Sequence, residues 1–291
     1  MKPMDILSAI SVAIIWGMGF IIAKAAMEHF SPILLMALRF TLTALCMVWF
    51  FRPEPKLFNK LFWIAFVSAA VQYSLTFTGV SGIDASTAAL LIQLEVPFAI
   101  LLAALVLGDK LTIRQGVGVS LAFCGAILIV GEPKLANDMR YVLMVIGGGF
   151  AWSLGQIMIK MMGVSGGFSL ISSVAIFASP QLFLASYLLE ENQLHQIATA
   201  TPAAWAAVAY LGLVMTALGY AMWYRLLGLY NVNLVMPYLL LLPVASVAGG
   251  YFFLDEVLTI KIALGGVLAL AGVAVITLRF NQSKPQETPN S

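Results

Sequence analysis

The sequence is poor in charged residues, in cysteine and in histidine. Only 10% of its 291 residues are Asp, Glu, Lys or Arg, whereas soluble domains carry about 25%, so a water-soluble globular protein is excluded. The net charge is +2 and the basic residues are scattered, which leaves no basic stripe for nucleic acid. Cys46 and Cys124 lie inside apolar runs. We predict that they are small core residues rather than a disulfide or a metal site.

Motifs of membrane-embedded enzymes and of ATP-driven pumps are also missing. The sequence contains no HExxH and no phosphate-cradling loop, and His29 and His195 fall between the apolar runs. One G-x-S-x-G match, at residues 163–167, is predicted to be a loop between two such runs, whereas a hydrolase needs a strand-to-helix elbow there. We therefore predict no catalytic residue, no metal and no cofactor.

Long apolar runs make up most of the chain, and 62% of its residues are apolar. A helix needs about 20 residues to cross the hydrocarbon, and the runs are continuous rather than alternating, which excludes a β-barrel. The expected fold is an all-α polytopic membrane protein, and residues 281–291 are expected to form a disordered tail. The ten transmembrane helices are predicted near residues 6–24, 32–51, 61–80, 86–106, 113–131, 140–160, 167–188, 203–224, 231–253 and 260–280.

The distribution of Lys and Arg predicts the orientation in the membrane. A cytoplasmic N-terminus puts ten of them on the cytoplasmic side and four on the other, while Arg39 lies within a span. This favours both termini in the cytoplasm. The ten are Lys2, Arg52, Lys56, Lys60, Lys110, Arg114, Lys160, Arg225, Arg279 and Lys284, and the four are Lys24, Lys134, Arg140 and Lys261.

The two halves of the sequence repeat. Trp16 and Lys24 recur as Trp152 and Lys160 at one constant spacing, and the Pro97 segment recurs around Pro243 at a slightly larger spacing. We assign the first repeat to residues 1–131 and the second to residues 139–280. Five helices per repeat give the halves opposite orientations, which is typical of secondary transporters with a substrate site between them.

The same residues resemble a known family. Trp16-Gly17 with Lys24, Leu38-Arg39-Phe40, and the segments from Pro97 to Leu111 and from Pro243 to Glu256 resemble the EamA family of the drug/metabolite transporter superfamily. The stretch 219–230 is most similar to the branch that includes O-acetylserine/cysteine exporters. The resemblance implies ten helices and efflux of amino acids or related metabolites across a bacterial inner membrane, without ATP hydrolysis.

Glu95 is the main candidate for a functional residue. It lies near the middle of the fourth predicted span, where a carboxylate costs about 2.5–3.5 kcal/mol on insertion scales. Arg39 lies at a similar depth, so the two form either a permanent ion pair that fixes packing or a site for substrate or protons. In the second case, we expect a substrate amino group or a proton to compete for the carboxylate, which would couple efflux to protons.

Other polar and aromatic residues at similar depth are candidate lining residues of a binding cavity. For each, packing or a helix–helix hydrogen bond is the alternative. Lys24 and Lys160 are expected to extend from helix ends to the membrane surface. The candidates are Gln72, Gln93, Trp16, Trp152, Gln156, Tyr73, Tyr220 and Tyr238.

Prolines and glycines within the spans suggest hinges and close contacts. Pro97, Pro237 and Pro243 interrupt helical hydrogen bonding and are candidate hinges. The Gly118/Gly125 and Gly265/Gly272 faces permit close helix approach, either within one chain or in a homodimer.

The sequence leaves several functions open. An exporter of amino acids or related small metabolites is the leading prediction, and an importer or facilitator of sugars or nucleotide precursors is the alternative. A membrane enzyme or a sensor is disfavoured, since catalytic clusters and an output domain are missing. The predicted partners are a small-molecule substrate and the lipid bilayer.

Overall fold

A computed structural model describes residues 1–51, 53–164, 167–230 and 232–278, without the side chains of residues 232 and 233. This part of the chain is helical and contains no strand. Two short helices, Gln193–Thr199 and Val232–Val235, lie between longer ones. The ten main helices are α1 (Pro3–Ala26), α2 (Pro32–Met47), α3 (Pro55–Gly82), α4 (Ala85–Leu107), α5 (Ile113–Val130), α6 (Pro133–Met162), α7 (Phe168–Leu189), α8 (Pro202–Leu229), α9 (Met236–Phe253) and α10 (Ile260–Thr277).

The all-helical prediction is confirmed, with small differences at helix ends. Within the described residues, nine helices are long and apolar enough to cross a membrane. Helix α2 is shorter than predicted, because it ends at Met47 instead of residue 51. Helices α3 and α6 begin several residues earlier than predicted, because Pro55 and Pro133 start a 3-10 turn that leads into each helix. The tail 281–291 lies outside the described residues.

The ten helices pack in a pattern that repeats between the halves α1–α5 and α6–α10. Helix α1 packs against α9, as α4 packs against α6, and α3 packs against α6, as α8 packs against α1. Helix α5 lies along α10, and α2 lies along α7. Each of these contacts joins a helix of one half to a helix of the other. If the halves are exchanged, so that α1 takes the place of α6, each contact becomes another contact of the same set or itself. This is the contact pattern expected of a duplicated unit.

The bundle has two ends, which we name by the direction of α1. The N-terminal face carries Pro3 of α1 and the last residue of α10, Thr277. The distal face carries Ala26 of α1 and Ile260 of α10.

Helices α4 and α9 are interrupted at corresponding places. In α4, a 3-10 turn at Ile92–Leu94 separates two α-helical parts, and the second part begins at Glu95. In α9, a 3-10 turn at Met236–Leu240 precedes the α-helical part. Pro97 and Pro243 each lie two residues into the part that follows, where proline lacks the N–H for the preceding turn. A hinge role for these prolines and for Pro237 stays a prediction.

Helices α3 and α8 also share an irregularity. Each widens into a π-helical segment, at Phe66–Val71 in α3 and at Tyr210–Leu218 in α8. The π-helix is rare and is frequently found at functional sites. Both segments lie in mid-helix, just before Tyr73 and Tyr220 respectively.

Glycine faces hold α5 against α10 within one chain. A Cβ on Gly118 would meet Gly272 O at 2.8 Å, and a Cβ on Gly265 would meet Gly125 O at 2.7 Å. The two predicted glycine faces therefore pack against each other within one chain, and a homodimer through either face does not fit this packing. The prediction of buried cysteines is also wrong: Cys46 and Cys124 are exposed on the outside of the bundle, because an apolar run in a membrane helix also covers its lipid-facing side.

We predict that Gly125→Ala destabilises the protein, because its methyl group would collide with the backbone of Gly265 and Ala269. Overpacking of this kind costs on the order of 1–3 kcal/mol, which thermal unfolding in detergent would detect. Gly116→Ala is the matched control, since nothing lies within 4 Å of a Cβ there. Equal melting temperatures for the two variants would contradict the close α5–α10 contact.

Candidate functional site

A cavity of about 430 Å³ lies between the two halves. Nine of the ten main helices line it, and α5 contributes no side chain. Seven predicted residues are among the lining residues: Glu95, Gln93, Trp16, Trp152, Gln156, Tyr73 and Tyr220.

One wall of the cavity is aromatic. The ring of Trp16 lies 5.0 Å from that of Tyr220 and 5.8 Å from that of Trp223, measured between centroids. The Trp16 indole donates a hydrogen bond to Met215 O at 3.0 Å, in the π segment of α8. On the other side, the ring of Tyr73 lies 4.9 Å from that of Phe40. These contacts fix the rings, so the wall is a preformed surface for an apolar or aromatic group.

Glu95 is the only charged residue among the described residues that line the cavity. It is the first residue after the 3-10 turn of α4 and is half-buried. None of the described residues makes a hydrogen bond or an ion pair with its carboxylate. A carboxylate in an apolar cavity is costly unless a partner compensates it. The site is thus suited to a positively charged group or a proton.

The break in α4 is supported from α6. The hydroxyl of Ser153 donates to Glu95 O at 2.7 Å and to Gly149 O at 2.9 Å. Ser153 therefore holds the backbone of Glu95 in place while leaving its side chain free to face the cavity. Gln93, in the 3-10 turn itself, is buried and also lines the cavity.

Arg39 does not pair with Glu95, so the ion-pair alternative is wrong. Its side chain is 1% exposed and donates from Nε to Thr216 Oγ1 at 3.1 Å. Its guanidinium carbon lies 4.8 Å from the ring centroid of Tyr73 and 5.4 Å from that of Phe40. Equal depth in the membrane was a poor guide, because depth does not fix the direction in which a helix presents its side chain. Arg39 lies behind the cavity wall and holds α2 against α3 and α8.

Two other candidates lie outside the cavity lining. Gln72 is buried between α3 and α6, and its amide donates to Thr76 Oγ1, one turn along the same helix, at 3.2 Å. Tyr238 packs against an apolar cluster that includes Trp223 and Leu226.

The sequence analysis did not select several lining residues. Ser68 and Thr216 lie in the two π segments, and Tyr224 and Thr277 lie towards the N-terminal face. The hydroxyl of Thr216 donates to Leu211 O, five residues earlier, at 2.8 Å. The only sequence signal for Ser68 and Thr216 was a hydroxyl a few residues before a tyrosine. The spacing of apolar residues does not distinguish a π turn from a regular helix.

The cavity extends from the middle of the bundle to the N-terminal face. Its lining includes Leu170 near the start of α7, Met236 at the start of α9 and Thr277 at the end of α10. Towards the distal face, the buried rings of Phe20 and Phe77 stack at 6.0 Å one turn beyond Trp16 and Tyr73. The structure is therefore open towards the N-terminal face and closed towards the distal face.

Two charged side chains close the distal face across the helix ends. Lys24 donates to the carbonyls of Val80, Ser81 and Ile83 at the end of α3, at 2.8, 2.8 and 3.0 Å. The expectation that Lys24 extends only to the membrane surface is therefore wrong. Glu256 is 8% exposed and accepts from the backbone N–H groups of Ala85 and Ser86 at the start of α4, at 2.6 and 2.9 Å.

Comparisons with known proteins agree with the resemblance noted in the sequence. The model of the EamA-like transporter family matches residues 4–131 and 139–278. A protein of Escherichia coli (strain K12) named "Probable amino-acid metabolite efflux pump" is 28% identical over 97% of this chain and 98% of its own length. A protein of Salmonella typhimurium with the same name is 30% identical over 96% and 97%. A solved crystal structure aligns with a TM-score of 0.64 over 95% of this chain and 98% of that chain, at 16% identity, and supports the fold alone.

We predict that Trp152→Ala raises the KM for transport roughly tenfold, since loss of one aromatic anchor costs about 1–2 kcal/mol. Trp152 lines the cavity and makes no hydrogen bond or ring contact among the described residues, so its removal should affect the ligand more than the fold. Trp49→Ala is the control, because Trp49 is 72% exposed on the outside of the bundle. A KM change of the same size in both variants would argue against a binding role for Trp152.

Proposed function

Because this chain belongs to the EamA-like transporter family, we propose that it exports amino acids or closely related amines across a bacterial inner membrane by alternating access. The observation that carries the proposal is the carboxylate of Glu95, which lies in an aromatic cavity between the two halves and has no partner among the described residues. The names of the Escherichia coli and Salmonella relatives support an amino-acid metabolite as the cargo.

The charges in the cavity favour an amine over the alternative substrates. The ammonium group of an amino acid or amine would donate a charge-assisted hydrogen bond to Glu95, whereas a sugar carries no charge. A phosphorylated nucleotide precursor would need a cationic partner, and none of the described lining residues is Lys, Arg or His. Trp16, Tyr220 and Trp152 would contact the apolar part of the substrate.

Glu95 also offers a route for coupling to protons. A carboxylate that binds either a proton or an ammonium, but not both, exchanges one for the other as access alternates. In this proposal, the halves 1–131 and 139–280 move against each other, and Pro97 and Pro243 mark the helix breaks beside the site. Each turn of the cycle would move one substrate outwards and one proton inwards.

Glu95→Gln is predicted to abolish proton-driven export, because the amide neither binds a proton nor attracts an ammonium ion. The assay is uptake of radiolabelled amino acids into inside-out vesicles, with and without an imposed pH gradient. In the unmodified protein, amino-acid amides should compete with the substrate and N-acetyl amino acids should not, since only the amides keep the ammonium group.

Glu191→Gln provides the control, because Glu191 is exposed outside the cavity and loses the same charge. Export by Glu95→Gln that stays pH-driven would remove Glu95 from the mechanism. Equal competition by both classes of analogue would refute amine recognition.

We also propose that both termini face the cytoplasm, so that the cavity is open to the cytoplasm in this structure. The support is the excess of Lys and Arg predicted on that side. Alkaline phosphatase fused after residue 134 should be active, and a fluorescent protein fused to the C-terminus should fluoresce. The opposite pattern would reverse the orientation and the direction of the proposed export.

A further inference from the structure

The two charged residues that close the distal face have counterparts at the N-terminal face. Lys24 lies near the end of α1, and its repeat equivalent Lys160 lies near the end of α6. The counterpart of α3 is α8, and these helices end at Gly82 and Leu229, which aligns their last turns. The carbonyls of Val80, Ser81 and Ile83 that bind Lys24 therefore correspond to those of residues 227, 228 and 230.

The backbone also identifies the counterpart of Glu256. Asp255 has a φ of 51°, and Gly108, at the same place in the first copy, has a φ of 72°. The next N–H in each copy closes the same turn, from Glu256 to Gly250 O and from Asp109 to Ala103 O. Three residues further on, Thr259 and Thr112 cap α10 and α5. Asp109 is thus the equivalent of Glu256. The spacing between Pro97 and Pro243 would instead pair Asp109 with Asp255, one residue earlier.

These counterparts make different contacts at the open face. Lys160 and Asp109 bind each other at 3.2 Å, and their side chains are 63% and 56% exposed. At the closed face, Lys24 and Glu256 do not pair; instead the lysine binds the carbonyl end of α3 and the carboxylate binds the N–H end of α4. Those are the helix ends where a cation and an anion, respectively, are stabilised.

We propose that Lys160 and Asp109 are the positioning residues that close the N-terminal face when the transporter faces the other way. Their ion pair separates, Lys160 donates to the carbonyls at the end of α8, and Asp109 accepts from the backbone N–H groups of residues 232 and 233, the counterparts of Ala85 and Ser86. In the same step, Lys24 and Glu256 release α3 and α4. An exposed ion pair contributes little stability, so its separation is a small cost against the contacts that replace it.

The proposal assumes alternating access, but it does not depend on the identity of the substrate. Its test is therefore the accessibility of cysteines to a membrane-impermeant maleimide, in a Cys46→Ser/Cys124→Ser background. Gln156→Cys reports opening at the N-terminal face, because Gln156 lines the cavity there. Phe20→Cys reports opening at the distal face, because Phe20 is buried between the cavity and that face.

Lys160→Gln should favour the present state, so that labelling at position 156 rises and labelling at position 20 falls. Lys24→Gln should do the opposite. We expect the labelling rate at each position to change by roughly threefold to tenfold, because each variant loses a charge-assisted contact that is present in only one of the two states. Lys160→Arg retains a donor and should restore the original labelling.

Lys56→Gln is the control, since Lys56 is exposed at the N-terminal face and takes no part in either closure. Elution as a single peak in size-exclusion chromatography checks that each variant is folded. Shifts of the same sign in Lys160→Gln and Lys24→Gln, or a Lys160→Gln variant that behaves like Lys56→Gln, would overturn the proposal. A protein that shows the expected labelling but no amino-acid export would refute the proposed substrate and leave this inference intact.

Discussion

Hydrocarbon offers no hydrogen bonds, and this constraint governs where the bundle can depart from regular helix. A free N–H or C=O group at membrane depth costs several kcal/mol unless another group binds it. The irregular segments of α3, α4, α8 and α9 accordingly line the cavity, and hydroxyls bind backbone carbonyls in two of these helices. Ser153 donates to Glu95 O in α4, and Thr216 donates to Leu211 O in α8. Helix α5, which does not line the cavity, is a single uninterrupted α-helix. The cavity therefore lies where the backbone is irregular, and side-chain hydroxyls supply hydrogen-bond partners there.

Composition and repeats predicted the fold well, because both depend on the bilayer rather than on detailed packing. Apolar runs located the ten helices, and the recurrence of Trp16 and Lys24 identified the duplication. Seven of the ten candidate site residues, Glu95 and Arg39 included in the ten, line the cavity. Polar groups at mid-depth have few favourable places other than a cavity, which explains this agreement.

The remaining features depend on directions that a sequence does not encode locally. Arg39 has the depth expected for a partner of Glu95, yet it is directed at Thr216 and at the face of Tyr73. Gln72 bonds within its own helix rather than across the bundle. Lys24 reaches a neighbouring helix end instead of water. Each case required knowledge of which helix is adjacent and which side of it faces the residue.

Gly250 lies against the carboxylate of Glu256 and the hydroxyl of Ser86, where no Cβ fits. The first copy carries Ala103 at the equivalent position, and Asp109 is one methylene shorter than Glu256. A duplicated protein with identical copies would have no preference between its two conformations. In the closure proposed above, these differences between the copies would set which conformation the empty protein prefers, and substitutions at the closing residues would change that preference without altering the cavity.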